Sequence, residues 1–223
     1  MNCPGGKGLS FQKYINLMPP HDVFVETHLG GGSVIRNKLP AKQNIGIEIN
    51  SDIINKWYAT EQVNFELIHS DAITYLRTYP FRGKELIYCD PPYLRETRRS
   101  KKAIYKYEYT TEQHIELLEL IKSLPCMVMI SGYHSALYKR YLSNWHMYSF
   151  KATIRKQTST ELIWTNYPHP IELHDYQYLG DNFRERERLK KIARRWTNRL
   201  KSMPILEQQA LFHAIQSVRQ DCT

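Results

Sequence analysis

LIYCDPPYL, residues 86–94, decides the fold. Its first four residues are apolar at consecutive positions. A half-buried strand alternates apolar and polar. A continuous apolar run bounded by a turn suits a strand covered on both faces, the kind found inside a parallel sheet. The run ends at Asp90. Pro91 and Pro92 then stop the ladder, because neither has an N–H to donate. An acid at the carboxyl end of a buried strand stands where open α/β sheets hold their ligands.

Outward from this stretch, β-like runs alternate with helical ones. DVFVE (22–26), NIGIEI (44–49) and FELIHSD (65–71) precede KELIYCD (84–90), and CMVMIS (126–131) follows it. The turn LGGGS (29–33) leads into VIRNKL, which suits a short helix. SDIINKWYATE, with a Ser or Asp cap, and AITYLRTY are further helices. TTEQHIELLELIKSL (110–124) is the clearest amphipathic one. Thr110 or Thr111 caps it, and Ile115, Leu118, Ile121 and Leu124 recur on one side. This alternation predicts an α/β fold with a mostly parallel sheet. WHMYSFKAT and TELIWTNY, joined by the short basic loop IRKQTS, predict a closing antiparallel pair. Beyond NYPHP (166–170) the chain becomes charged and helical: NFRERERLKKIARRWTNRLKSM, then ILEQQALFHAIQSVRQ after Pro204. The expected division is 1–170, the catalytic part, and 171–223, a helical C-terminal extension.

The 223 residues suffice for one substantial core. The formal net charge of +9 suits an acidic partner, with nucleic acid the first candidate. Cys3, Cys89, Cys126 and Cys222 show no CxxC spacing and no nearby His pair, so no metal site is expected. They read as reduced thiols of a cytosolic protein. No apolar stretch follows Met1, and none approaches the roughly 18 residues that a membrane span needs.

FVETHLGGGSV places a Gly-rich turn between a strand and a helix start. Gly30, Gly31 and Gly32 let backbone N–H groups approach a ligand closely. Glu48 ends the next strand, 18 residues past Gly30. That spacing suits an acid that accepts hydrogen bonds from ribose hydroxyls. CPGGKG (3–8) is a second Gly-rich patch, with a cation at Lys7. In DPPY, Asp90 offers a carboxylate, the prolines offer rigid carbonyl acceptors, and Tyr93 offers a flat face. Together they match a planar base that carries an exocyclic amine.

On these motifs the sequence resembles the Dam-type DNA adenine-N6 methyltransferases, over roughly residues 3–167. CPGGKG, FVETHLGGGSV, IEIN, HSDAITYL and DPPY stand in the family's order. YTTEQHIELLELI, VMISGYHSALY and TELIWTNY resemble further stretches of it. The resemblance implies a class I methyltransferase fold, Rossmann-like, with a mostly parallel seven-stranded sheet. It implies S-adenosylmethionine as cofactor, held by Lys7, Gly30, Gly31, Gly32, Glu48 at the ribose and Asp71 at the adenine. The catalytic set would be Asp90, Pro91, Pro92 and Tyr93, around an adenine swung out of the duplex. Two departures stand out. Cys3 replaces an aromatic residue often found there. Little chain separates Glu48 from the strand leading to Asp71, where classical members carry a DNA-recognition insertion.

LRETRRSKKAIYKYEYT (94–110) follows DPPY directly. Arg95, Arg98, Arg99, Lys101 and Lys102, interleaved with aromatics such as Tyr105, suit phosphate contact and base stacking. The expected partner is double-stranded DNA, and a restriction endonuclease partner belongs to the same expectation. The expected setting is cytoplasmic, in a bacterium or encoded by a phage. Two rivals stay open: a methyltransferase acting on RNA adenine or another amine, and a nucleic-acid-binding relative without catalysis.

Overall fold

The computed structural model describes residues 7–8, 10–60, 63–98, 103–154 and 157–220. Seven strands form one sheet: β1 (Val23–Glu26), β2 (Gln43–Glu48), β3 (Glu66–His69), β4 (Glu85–Cys89), β5 (Met127–Gly132), β6 (His146–Ile154) and β7 (Gln157–Thr165). Their spatial order is β3-β2-β1-β4-β5-β7-β6. The first five are parallel. β7 runs antiparallel to both β5 and β6. The class I methyltransferase fold, α/β with a mostly parallel sheet, is therefore what the chain adopts.

The helices are α1 (Phe11–Ile15), α2 (Ser51–Tyr58), α3 (Ala72–Thr78), α4 (Thr111–Ser123), α5 (Ala136–Tyr141), α6 (Phe183–Lys201) and α7 (Ile205–Gln220). The period of two along β4 explains its place in the middle. Leu86 and Tyr88 enter one core cluster, with Tyr14, Met18 and Trp57. Ile87 and Cys89 enter the other, with Leu117, Leu118 and Ile121 of α4. Each of these four β4 side chains is fully buried, so none of the four positions tolerates a charge.

The hinges of the fold are set by caps. Thr110 caps α4 in a full capping box with Gln113. Asn50, not Ser51 or Asp52, caps α2, accepting from the Asp52 amide. The buried face of α4 runs through His114, Leu117, Leu118 and Ile121, and the His114 ring reaches the Tyr138 hydroxyl at 3.1 Å. The helix expected over VIRNKL is a run of turns instead. Its amides bond irregularly, and the Ile35 N–H donates to the Glu26 carboxylate at 2.9 Å rather than along a helix. Two short helices, α1 and α5, lie where no helix was expected.

The chain forms two compact units, Met1–Tyr176 and Gln177–Thr223. The first contains the sheet and α1 to α5. The second contains α6 and α7, and neither helix buries a described side chain.

Candidate active site

The strand order reverses between β1 and β4, which places a crevice beyond their carboxyl ends. Acids stand at the ends of four neighbouring strands. Glu26 ends β1, Glu48 ends β2, Asp71 lies two residues past β3, and Asp90 follows β4. All four line one cavity of about 300 Å³, shared with Gly30 and Gly31. Lys7, Pro92, Tyr105, Lys106 and Tyr109 complete it from other segments.

The glycine turn is tightly specified. Gly30 and Gly32 have φ of 47° and 58°, values that favour glycine. A Cβ on Gly32 would lie 2.9 Å from the Trp57 ring. The Trp57 indole N–H donates to the Gly30 carbonyl at 3.0 Å, and the Gly30 N–H donates to Glu48 Oε2 at 2.8 Å. Glu48 Oε1 accepts from the Asn50 amide, also at 2.8 Å. The Ile49 amide also bonds this carboxylate, and three amide donors against four lone pairs leave it an acceptor position. Burial raises the Glu48 carboxyl above its ordinary range despite these amides. Asp71 caps α3 through Oδ1, accepting from the Thr74 amide at 2.9 Å.

Asp90 is held from one side. Its Oδ1 meets Lys7 Nζ at 2.9 Å and accepts from the Ser131 hydroxyl at 2.6 Å. Its Oδ2 has no partner among the described residues, and Asp90 lines the cavity. Lys7 also donates to the Tyr93 hydroxyl at 2.9 Å and lies 4.0 Å from Glu161 on β7. The Tyr14 hydroxyl donates to the other Glu161 oxygen at 2.8 Å. Burial works against the Lys7 ammonium, yet Asp90 first, then Tyr93, Tyr88 and Glu161, hold it above the ordinary lysine range. Tyr93 also packs edge-on against Tyr133, centroids 4.6 Å apart. Beside this group, burial first and Asp90 next push Glu26 up to about 8, although the Ile35 amide and Lys7 oppose them.

The segment after Pro92 returns over the cavity. Arg98 Nε donates to the Tyr93 carbonyl at 2.5 Å. Its guanidinium grips both oxygens of Glu108. Glu108 Oε1 in turn accepts from the amides of Ile104 and Tyr105, at 2.7 and 3.0 Å. The Arg98 hydrogen bond, despite burial, holds the Glu108 carboxyl down at about 2. Lys106 reaches Asp52 at the start of α2 at 2.8 Å. His28 sits between Thr27 Oγ1 and the Tyr109 hydroxyl, at 2.8 and 3.0 Å, and burial lowers its ring to about 4.

The residues expected from sequence thus gather unevenly. Lys7, Gly30, Gly31, Glu48, Asp71, Asp90, Pro92 and Tyr105 line one cavity. Gly32, Pro91 and Tyr93 are not among its lining residues: Gly32 packs on Trp57, Pro91 is buried, and the half-buried Tyr93 meets Lys7. Arg98 differs from its expectation. It is 8% exposed, with its guanidinium paired to the Glu108 carboxylate. Arg95 lies exposed on a 3₁₀ turn, Arg95–Thr97. Arg99, Lys101, Lys102 and Cys3 lie outside the described residues. Sequence reasoning missed Glu26, His28, Ser131 and Glu161. Glu26 had the same signal as Glu48, an acid closing a strand.

The sequence model of the D12 class N6 adenine-specific DNA methyltransferases matches residues 76–161. The match supports the Dam-type family. It takes in Asp90 to Tyr93, and supports methyl transfer as the activity. No match was found among curated proteins. Among solved structures, TrmK of M. capricolum, in complex with S-adenosylhomocysteine, is 10% identical, with a TM-score of 0.48 over 95% of this chain and 96% of that one. A SAM dependent methyltransferase from Archaeoglobus fulgidus is 15% identical, with a TM-score of 0.48 over 70% and 90%. A dimethyladenosine transferase from Plasmodium falciparum is 14% identical, with a TM-score of 0.46 over 74% and 62%. The strand order, not these distant likenesses, defines the fold. Among the described residues, no helix is long and apolar enough to cross a membrane.

Proposed function

We propose that this protein is a DNA adenine-N6 methyltransferase that uses S-adenosylmethionine and acts on a base turned out of the duplex. The observation that carries the reading is Asp90. Its Oδ1 is fixed by Lys7 and Ser131, while Oδ2 is left for a donor arriving in the cavity.

The donor set fits the cofactor. The Gly30–Gly31 backbone admits a close ligand, Glu48 keeps an acceptor position for a ribose hydroxyl, and Asp71 stands by for the adenine. Glu26, a buried acid that lines the cavity at the end of β1, suits the methionine ammonium, whose positive charge favours the ionised carboxylate. When bound, S-adenosylmethionine supplies an electrophilic methyl group on a sulfonium. Asp90 Oδ2 and the Pro91 carbonyl accept the two N–H groups of the target amine. This holds its lone pair out of conjugation with the ring. The Tyr93 ring, braced by Lys7 and Tyr133, stacks on the base. Positioning and electrostatics then supply much of the rate. Arg95, together with Arg99, Lys101 and Lys102, serves the phosphates, and Tyr105 the ligand in the cavity.

The test is nucleoside mass spectrometry on unmethylated duplex DNA incubated with protein and S-adenosylmethionine, with RNA in parallel. The expected product is N6-methyladenine in DNA. Asp90→Ala should lower the rate by about 10²-fold or more while S-adenosylmethionine binding persists. Methylated RNA with untouched DNA would replace DNA by RNA in this reading. An active Asp90→Ala protein would overturn it.

A further inference from the structure

Most of the molecule's excess charge lies on one helix. α6 carries nine lysines and arginines against two glutamates, a net +7 within a chain of +9. At 100° per residue, Arg184, Arg188, Lys191, Arg195 and Arg199 fall on one stripe. All five are exposed. Leu189, Ile192, Trp196 and Leu200 take the apolar face beside them.

A merely solvated helix would alternate its charges, with Glu four residues before Lys. α6 has one such pair by spacing, Glu187 and Lys191, against five of like charge. Arg184 and Arg188, Arg186 and Lys190, Lys190 and Arg194, Lys191 and Arg195, and Arg195 and Arg199 are all like-charged pairs at i,i+4. Such pairs destabilise a helix standing alone. The ion pair described within α6 is Lys190–Glu187, at 3.6 Å. A polyanion with regular charge spacing relieves this repulsion. The stripe runs for about 22 Å, the length of roughly six base pairs of duplex.

Two further observations point the same way. Arg98, in the basic segment beside the active site, is paired with Glu108 inside the protein. The link from α2 to β3, Ala59–Phe65 in sequence, is too short to hold a recognition module.

We infer that the Arg184–Arg199 stripe of α6 is a nucleic-acid backbone surface, binding the phosphates of duplex DNA. The inference rests on the proposed DNA substrate for the nature of the polyanion, and it assigns the surface that holds it.

The experiment is fluorescence anisotropy with a labelled DNA duplex and the full-length chain, at several salt concentrations and without cofactor. One variant replaces the five stripe residues by Gln. A second replaces Arg184, Arg188, Arg195 and Arg199 by Lys and keeps the charge. The Gln variant should bind at least about tenfold more weakly, and its log Kd should depend less steeply on log salt, by roughly 3 to 4 in slope. The Lys variant should bind like the parent, which separates lost charge from lost folding. Equal affinity and slope in parent and Gln variant would overturn the inference. So would loss of binding by the Lys variant while it stays helical by circular dichroism. Vesicles containing phosphatidylserine, captured through the stripe while DNA binding is unchanged, would assign the surface to a membrane and also overturn it. The readout needs no methylation. Stripe-dependent binding without N6-methyladenine would sink the enzymatic reading and leave this one standing.

Discussion

Lys7 ties together one end of the candidate site. A cation buried to 6% exposure sits among Asp90, Tyr93 and Glu161, and it is the partner all three share. Breaking one partner out of a buried ionic group costs about 3–5 kcal/mol, because the remaining charges stay buried. Lys7→Met should therefore lower the free energy of unfolding by that order and abolish methylation, as urea unfolding curves and a methylation assay would show. Glu26 answers to pH. Its folded value, about 8, lies above the ordinary carboxyl value. The neutral form is favoured by folding, so its stabilising effect is complete at acid pH and fades as pH rises toward and past 8. Urea midpoints of the cofactor-free protein should fall from the ordinary carboxyl range up to about pH 8 and level off above it, and Glu26→Gln should flatten that fall. Sequence alone displays Lys7 as a cation in a Gly-rich patch. Its meeting with Glu161 depends on the β6–β7 hairpin, which carries no local signal for a buried acid.

At the scale of elements, the return of the chain after Pro92 depends on one pair. Arg98 and Glu108 tie Tyr93 to the amides of Ile104 and Tyr105. Glu108→Gln would leave the guanidinium buried against a neutral amide. Hydrogen exchange at the amides of Ile104 and Tyr105 should accelerate by about 10²-fold, equivalent to roughly 3 kcal/mol, while the β4 amides stay protected. The Michaelis constant for S-adenosylmethionine should rise, since Tyr105 and Lys106 line the cavity proposed to hold it. The contribution of the Arg98–Glu108 pair is present above the ordinary glutamate value and is lost as pH falls toward about 2. In the sequence, this segment reads as six cations and an exposed loop, because a bidentate partner ten residues away is invisible to composition. Strands with continuous apolar runs, and α4 with its capping box, are legible because each signal is local. α1 and α5 are not, since five or six residues give too little periodicity to register.

On the whole-molecule scale, burial and charge separate. Every buried hydrophobic side chain described lies at or before Leu173, while α6 brings most of the net charge. A chain ending at Tyr176 should keep its cooperative melt within a few degrees of the parent and bind S-adenosylmethionine with similar affinity. Calorimetry checks both, and loss of the cooperative transition would show that the helical unit supports the sheet. The change of composition near residue 170 is plain in the sequence, because charge density needs no tertiary contact to be seen. What α6 and α7 leave uncovered is not, because exposure belongs to the folded chain.

The indole of Trp57 has a consequence outside chemistry. It is 2% exposed and bonded to the Gly30 carbonyl in the turn that lines the cavity. Three other tryptophans, Trp145, Trp164 and Trp196, stand elsewhere in the chain. With those replaced by Phe, Trp57 becomes an intrinsic optical gauge, whose emission follows ligand occupancy in real time without a label.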